Sequence, residues 1–176
     1  MRQPHVTPLT AFLPVMGEPG ALHRAMRQDP AAWLPGGRAA GQDQLRMLVR
    51  GVGISRTVCA HVGRPWRSGS TLWRALSWEP LGDDEDLALR PRLLPSLDGE
   101  LGLHAPPGGT ASLVLDARYR PPGGQFGVAL DTLALYRVAQ NTIDRLLADI
   151  ATRLAESVAA DVTTAEPVGA PSTGRP

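Results

Sequence analysis

The amino-acid sequence predicts an α+β fold: short N-terminal helices, then a run of antiparallel strands, then one long C-terminal helix. Three observations carry that class. Segments between Leu45 and Tyr119 alternate apolar and polar residues, several links between them are short and rich in Gly and Pro, and beyond Gly124 the apolar spacing lengthens to three and four residues. With 176 residues and 43% hydrophobic side chains, the chain has material for one well-buried core rather than two. We divide it into an irregular N-terminal segment over residues 1–17, a single domain over 18–159 and a disordered tail over 160–176.

Pro8 and Pro14 interrupt the stretch from Val6 to Val15, which therefore reads as irregular. Gly20 to Arg27 is the first helix-like run, with Leu22 and Met26 one turn apart. Asp29-Pro30 then looks like a cap followed by proline at the first helical position, opening a short turn through Trp33. Leu45, Met47 and Val49 alternate with Arg46, Leu48 and Arg50, and Val58, Ala60 and Val62 with Thr57, Cys59 and His61. The link Gly51-Val-Gly53 predicts a hairpin or bulge between these strands.

A third strand follows Ser68-Gly69-Ser70 and places Leu72, Arg74, Leu76 and Trp78 on one face, with Trp73, Ala75 and Ser77 on the other. Asp83 to Asp86 reads as a solvated turn and Pro91 to Pro95 as irregular. Leu97, Leu101 and Leu103 alternate with Asp98, Glu100 and His104 in a fourth strand, and Leu113, Leu115, Ala117 and Tyr119 with Ser112, Val114, Asp116 and Arg118 in a fifth. Short turns make neighbouring strands antiparallel.

After Pro121-Pro-Gly-Gly124 a single helix is expected from about Gln125 to Val158. Val128, Thr132, Leu135, Ala139, Ile143, Leu146, Ile150 and Leu154 form its apolar stripe, flanked by Phe126, Leu130 and Leu133. At 1.5 Å per residue such a helix extends about 50 Å, enough to cross a small sheet. The tail beyond Ala160 lacks the apolar content that offsets ordering entropy.

Composition excludes several classes of function. Eighteen basic against seventeen acidic residues leave a net charge of +1, too little for the broad positive field of a non-specific nucleic-acid binder. All basic residues are Arg, so lysine Schiff-base and P-loop chemistry are absent. The single Cys59 cannot form an intramolecular disulfide, and His5, His23, His61 and His104 lack metal-ligand spacing, so no metal and no cofactor are expected. There is no signal-like segment and no stretch of about 20 apolar residues that would span a bilayer. These readings point to a cytoplasmic protein.

Catalytic motifs are sparse. Gly51-Val-Gly53-Ile-Ser-Arg56 begins like a dinucleotide fingerprint but has Arg56 in place of the third Gly and a strand where a helix is required. Cys59 and His61 share a strand face, as do Asp98 and Glu100, and both pairs read as ordinary strand residues. Arg74 is more informative. If its face is the core, the guanidinium needs a carboxylate, a cluster of backbone carbonyls or a ligand anion; the competing register turns Arg74 outward and Trp73 inward. Trp66, Trp73, Trp78, Tyr119 and Tyr136 supply most of the aromatic surface, either as pocket lining or as core and rim packing.

With these details, the chain resembles the START/Bet v 1-like superfamily, also called SRPBCC, which includes polyketide cyclase/dehydrase-like and lipid-transport members. The likeness is carried by Asp29-Pro-Ala-Ala-Trp-Leu-Pro35, Leu72-Trp-Arg-Ala-Leu-Ser-Trp78, Leu97-Asp-Gly-Glu-Leu-Gly-Leu103 and Leu113 to Pro122, leading into the helix through Arg137-Val-Ala139. It covers about Pro30 to Leu154. The resemblance implies a helix-grip architecture, in which a curved antiparallel sheet wraps the long helix and an apolar ligand occupies the space between them.

The expected function is therefore binding of a hydrophobic or aromatic small molecule, with Arg74, Leu76, Trp78, Leu101, Leu115, Tyr119, Leu135 and Ala139 around it. One alternative is a cyclase- or aromatase-like enzyme in which Arg74, Asp116 or Tyr119 polarises a carbonyl or moves a proton, which requires those groups to converge. Another is a structural or partner-binding domain with a filled interior. If Arg74 waits for a ligand anion, Arg74→Leu is expected to leave the empty protein as stable or more stable.

Overall fold

Prolines settle where the sheet can begin. In the computed structural model, which describes residues 7–41, 44–51, 54–80, 96–120 and 132–164, with the side chains of 54, 80, 132–135 and 161–164 outside that description, Thr7–Val15 is a nine-residue strand, β1. Within the irregular segment expected over residues 1–17, this corrects the reading of Thr7–Val15; residues 1–6 lie outside the described residues. β1 is an edge strand paired only with β8 (Ala111–Arg120), and Pro8 and Pro14 are both even-numbered, so both missing N–H groups face the same side of a strand whose open side needs no donors. The odd positions Leu9, Ala11 and Val15 are buried, as alternation requires.

Helix α1 (Pro19–Arg27) starts at Glu18, whose carboxylate accepts the Gly20 and Ala21 N–H groups at 2.8 and 2.6 Å. Helix α2 (Pro30–Trp33) has the expected cap: Asp29 Oδ1 accepts from the Ala31 N–H at 3.0 Å, and Pro30 occupies the first helical position. Strands β2 (Arg38–Ala39), β3 (Gln44–Gly51), β4 (Ile54–Val62), β5 (Trp66–Ser68), β6 (Thr71–Pro80) and β7 (Ser96–His104) follow. The eight strands form one antiparallel sheet ordered β1-β8-β7-β6-β4-β3-β2, with β5 alongside β6. Gly51 pairs with Ile54, which fixes the expected hairpin between β3 and β4.

Of the two registers open for β6, the structure takes the one that turns Arg74 inward. Leu72, Arg74, Leu76 and Trp78 are all buried, whereas Trp73, Ala75 and Ser77 are only half-buried on the other face. Pairing extends this inner face across β7 and β8.

Helix α3 (Thr132–Thr164) covers the inner face. It runs past the expected end at Val158 and into what was assigned to the tail. Ala139, Ile143, Leu146, Ile150 and Leu154 are each at most 2% exposed, so the stripe read from the sequence is the buried one. The Asp83–Asp86 turn, the Pro91–Pro95 segment, the Pro121–Gly124 turn, the helical start expected at Gln125 and the tail beyond Thr164 lie outside the described residues.

The helix lies closest to β1 and β3, near the two ends of the strand order, and to α1 and α2. Polar contacts pin the β3 end: Arg145 Nη1 donates to the Gly51 carbonyl at 3.2 Å, and Arg50 pairs with Asp149 at 3.8 Å. A Cβ on Gly51 would stand 2.9 Å from Thr142 Oγ1, so glycine is what allows this approach. A helix seated on the sheet's flanks spans the central strands β4, β6 and β7. Their inner side chains define the site.

Candidate functional site between sheet and helix

Strand register arranges the inner side chains in cross-strand rows. One row runs Ala60, Trp78, Leu97, Tyr119; the next Val62, Leu76, Gly99, Ala117, Leu9; the third Arg74, Leu101, Leu115, Ala11. The middle row is the shallow one, because Gly99 and Ala117 stand where the flanking rows carry Leu97 and Tyr119 on one side and Leu101 and Leu115 on the other. Gly99 cannot be enlarged: a Cβ there would come within 2.5 Å of the Ala117 Cβ and of the Asp116 carbonyl. The result is a short trough at Gly99 and Ala117, closed at its ends by Leu76 and Leu9 and bounded by aromatic and aliphatic side chains on either side.

Of the residues expected to line a pocket, Leu76, Trp78, Leu101, Leu115 and Tyr119 share this face, each at most 3% exposed, and Ala139 is buried on the helix. Leu135 lies one turn before Ala139 on α3, and its side chain is outside the described residues.

Arg74 is on the inner face but is already engaged. Its Nε donates to the Gly63 carbonyl at 3.0 Å, and Nη1 donates to the Met26 and Gln28 carbonyls, also at 3.0 Å. Met26 and Gln28 end α1, where carbonyls have no intrahelical donor, so a cation there satisfies both their hydrogen bonds and the helix dipole. Its Cζ lies 5.7 Å from the centroid of the Trp33 ring. Burial lowers the Arg74 pKa, and the Asp29 carboxylate opposes that shift. Of the three partners that a buried Arg74 requires, the protein itself supplies the carbonyl cluster. This overturns the expectation that Arg74→Leu is neutral or stabilising.

The three groups of the enzyme alternative do not converge. Asp116 is exposed on the outer face, while Tyr119 points inward. Arg74 and Tyr119 belong to rows four residues apart along the strands, about 13 Å at the usual rise. Asp98 and Glu100 are both exposed on the outer face, and so is His61, beside the half-buried Cys59.

Two polar features escaped sequence reading. His23, buried on α1, bonds through Nε2 to the Leu103 carbonyl at 3.3 Å and receives Arg67 Nη2 at Nδ1 at 3.4 Å, tying α1 to β7 and β5. That pattern fits the neutral ring, and burial lowers its pKa. Trp33 Nε1 is buried without a hydrogen-bond partner among the described residues. Nothing in the sequence signals either, because His23 and Leu103 are 80 positions apart.

A groove of about 600 Å³ also opens on the outer face, with Gln44, His61, Ser77, Asp98 and Arg118 in one cross-strand row. Its lining mixes both charges. Among the described residues no group of three or more His, Cys, Asp or Glu could hold a metal ion, and no helix is long and apolar enough to cross a membrane.

The whole arrangement matches solved structures over nearly its full length. The Zhui aromatase/cyclase from Streptomyces sp. R1128 superposes with a TM-score of 0.58 at 13% identity, covering 93% of this chain and 100% of that one. The chain has the START/Bet v 1-like fold. Ara h 8.0201 matches with a TM-score of 0.52 at 12% identity over 85% of this chain and 98% of that one, and a START superfamily protein from Mycobacterium smegmatis with 0.50 at 12% over 86% and 98%. No family model and no curated protein matches the sequence. At these identities the START/Bet v 1-like likeness is one of architecture, and it shows the helix-grip arrangement that the sequence predicts.

Proposed function

We propose that this chain binds a hydrophobic or aromatic small molecule between the inner face of the sheet and α3. The carrying observation is the short trough at Gly99 and Ala117, walled by Leu97 and Tyr119 on one side and by Leu101 and Leu115 on the other. A flat apolar body laid there meets aromatic and aliphatic carbon on both flanks, with Ala139 contributed by the helix, and each square ångström it buries contributes about 25 cal/mol. In this reading Arg74 belongs to the frame and holds α1 against β6. Solved structures of the same fold include an aromatase/cyclase and a START superfamily protein, a likeness of fold that is consistent with binding such a molecule or with acting on it.

The test is a titration with the planar aromatic probe 1-anilinonaphthalene-8-sulfonate, followed by its fluorescence. Ala117→Phe fills the trough and is expected to weaken binding at least tenfold, whereas Thr57→Trp, on the exposed outer face, leaves it unchanged. Equal binding by all three proteins would place the probe elsewhere and overturn the assignment.

A further inference from the structure

The outer face of the sheet carries an apolar row that the core does not need. Phe12 pairs with Val114, Val114 with Gly102, Gly102 with Trp73, and Trp73 with Trp66, so one line of side chains crosses β1, β8, β7, β6 and β5. Gly102 does not interrupt it. A Cβ there would stand 2.7 Å from the Trp73 Cζ3 atom, which means that the indole ring lies over the glycine and carries apolar surface towards Val114. Phe12 is 69% and Trp66 40% exposed. The row thus takes two of the chain's four Trp and one of its two Phe onto the surface. Isolated exposed apolar residues are ordinary, but a continuous aromatic row marks a contact surface.

The neighbouring row identifies the chemistry of what fits. Thr10, Asp116, Glu100 and Ala75 follow one another across the same face, two residues along each strand from the aromatic row. Asp116 and Glu100 are directly opposed, both exposed, and neither makes an ion pair among the described residues. Like charges opposite each other on a strand pair cost stability, so the free protein holds an arrangement that a cation from outside would relieve.

We propose that this surface docks a partner protein through a segment that sets apolar side chains on the Phe12–Trp66 row and an Arg or Lys between Glu100 and Asp116. Arg118 stands two residues beyond Asp116 on the same face, opposite Asp98, so the acidic character is confined to the Glu100–Asp116 pair, which disfavours an acidic side chain at that point. The pair also opposes a second copy of this chain placed stripe on stripe with the rows in line, because the acidic rows then meet.

The test uses the full chain and a synthetic amphipathic peptide of Leu and Lys, with a Leu/Glu peptide as its counterpart, read by fluorescence anisotropy. The Leu/Lys peptide is expected to bind with an affinity that falls as salt rises, and Phe12→Ser or Trp66→Ser to weaken it about tenfold each. Glu100→Gln is expected to weaken the same binding and, with no peptide present, to raise the melting temperature of the protein. Trp66 lies on the three-residue strand β5, so its substitution keeps the test decisive if Phe12→Ser fails to fold. Equal affinity for the Leu/Glu peptide overturns the proposal, as does unchanged binding by folded variants. So does dimerisation through the row in sedimentation, or binding to phosphatidylcholine vesicles in place of the peptide.

Discussion

Replacing Arg74 by Leu separates a structural clamp from a ligand contact, and the structure sets the size of the effect. The bond from Nη1 to the Met26 carbonyl is buried, and its loss leaves a dry acceptor at a cost of about 1.5–3 kcal/mol. The bonds to the Gly63 and Gln28 carbonyls are only partly buried, so water can replace the guanidinium there at about 0.5–1 kcal/mol each. Leucine recovers about 1 kcal/mol, because it needs no desolvation and loses less rotamer freedom. The expected net loss is about 1.5–4 kcal/mol, which for a chain of this length lowers the melting temperature by roughly 3–15 °C. Urea denaturation of parent and variant measures the stability loss directly, and hydrogen exchange should show faster opening at the end of α1. A variant as stable as the parent would refute the clamp and return Arg74 to the ligand.

Other perturbations probe separate joints of the fold. Leu146→Asp or Ile150→Asp puts an unpaired charge in the buried stripe of α3, and circular dichroism should show an unfolded chain at room temperature. Gly51→Ala forces a Cβ to 2.9 Å from Thr142 Oγ1 and is expected to cost about 1–3 kcal/mol in denaturant titration, largely relieved by adding Thr142→Ala. His23 has a folded pKa below its unfolded value, so as pH falls the unfolded chain takes up this proton first. Its contribution is therefore fully present above about pH 6.5 and is lost as the pH falls from there towards the folded pKa, a slope that His23→Gln should remove from stability measured against pH.

How much of this was legible in the sequence depends on how far apart the deciding residues lie. Alternation grouped Leu72, Arg74, Leu76 and Trp78 on one face without deciding that it was the buried one, and helical spacing placed Ala139, Ile143, Leu146 and Ile150 in the stripe, because both signals are local. Pro8 and Pro14 concealed β1, since proline reads as a breaker until the strand is known to be an edge. Strands β2 and β5, of two and three residues, are too short for periodicity to register. The trough and the outer aromatic row need cross-strand register: nothing in the sequence says that Gly99 lies between Leu76 and Ala117, or that Trp73 covers Gly102. Arg74 could be grouped with its neighbours on its own strand, but its carbonyl partners come from the distant Met26, Gln28 and Gly63.

The central claim is that the space between sheet and helix holds a small apolar molecule, and native mass spectrometry of the full chain purified from its own host tests it most directly. Parent and Ala139→Trp, which fills the space from the helix side, would be measured together after a melting check. The account predicts a non-covalent small-molecule adduct on the parent that is missing from the variant. A folded parent that carries no adduct, or an adduct that the variant retains, would contradict it.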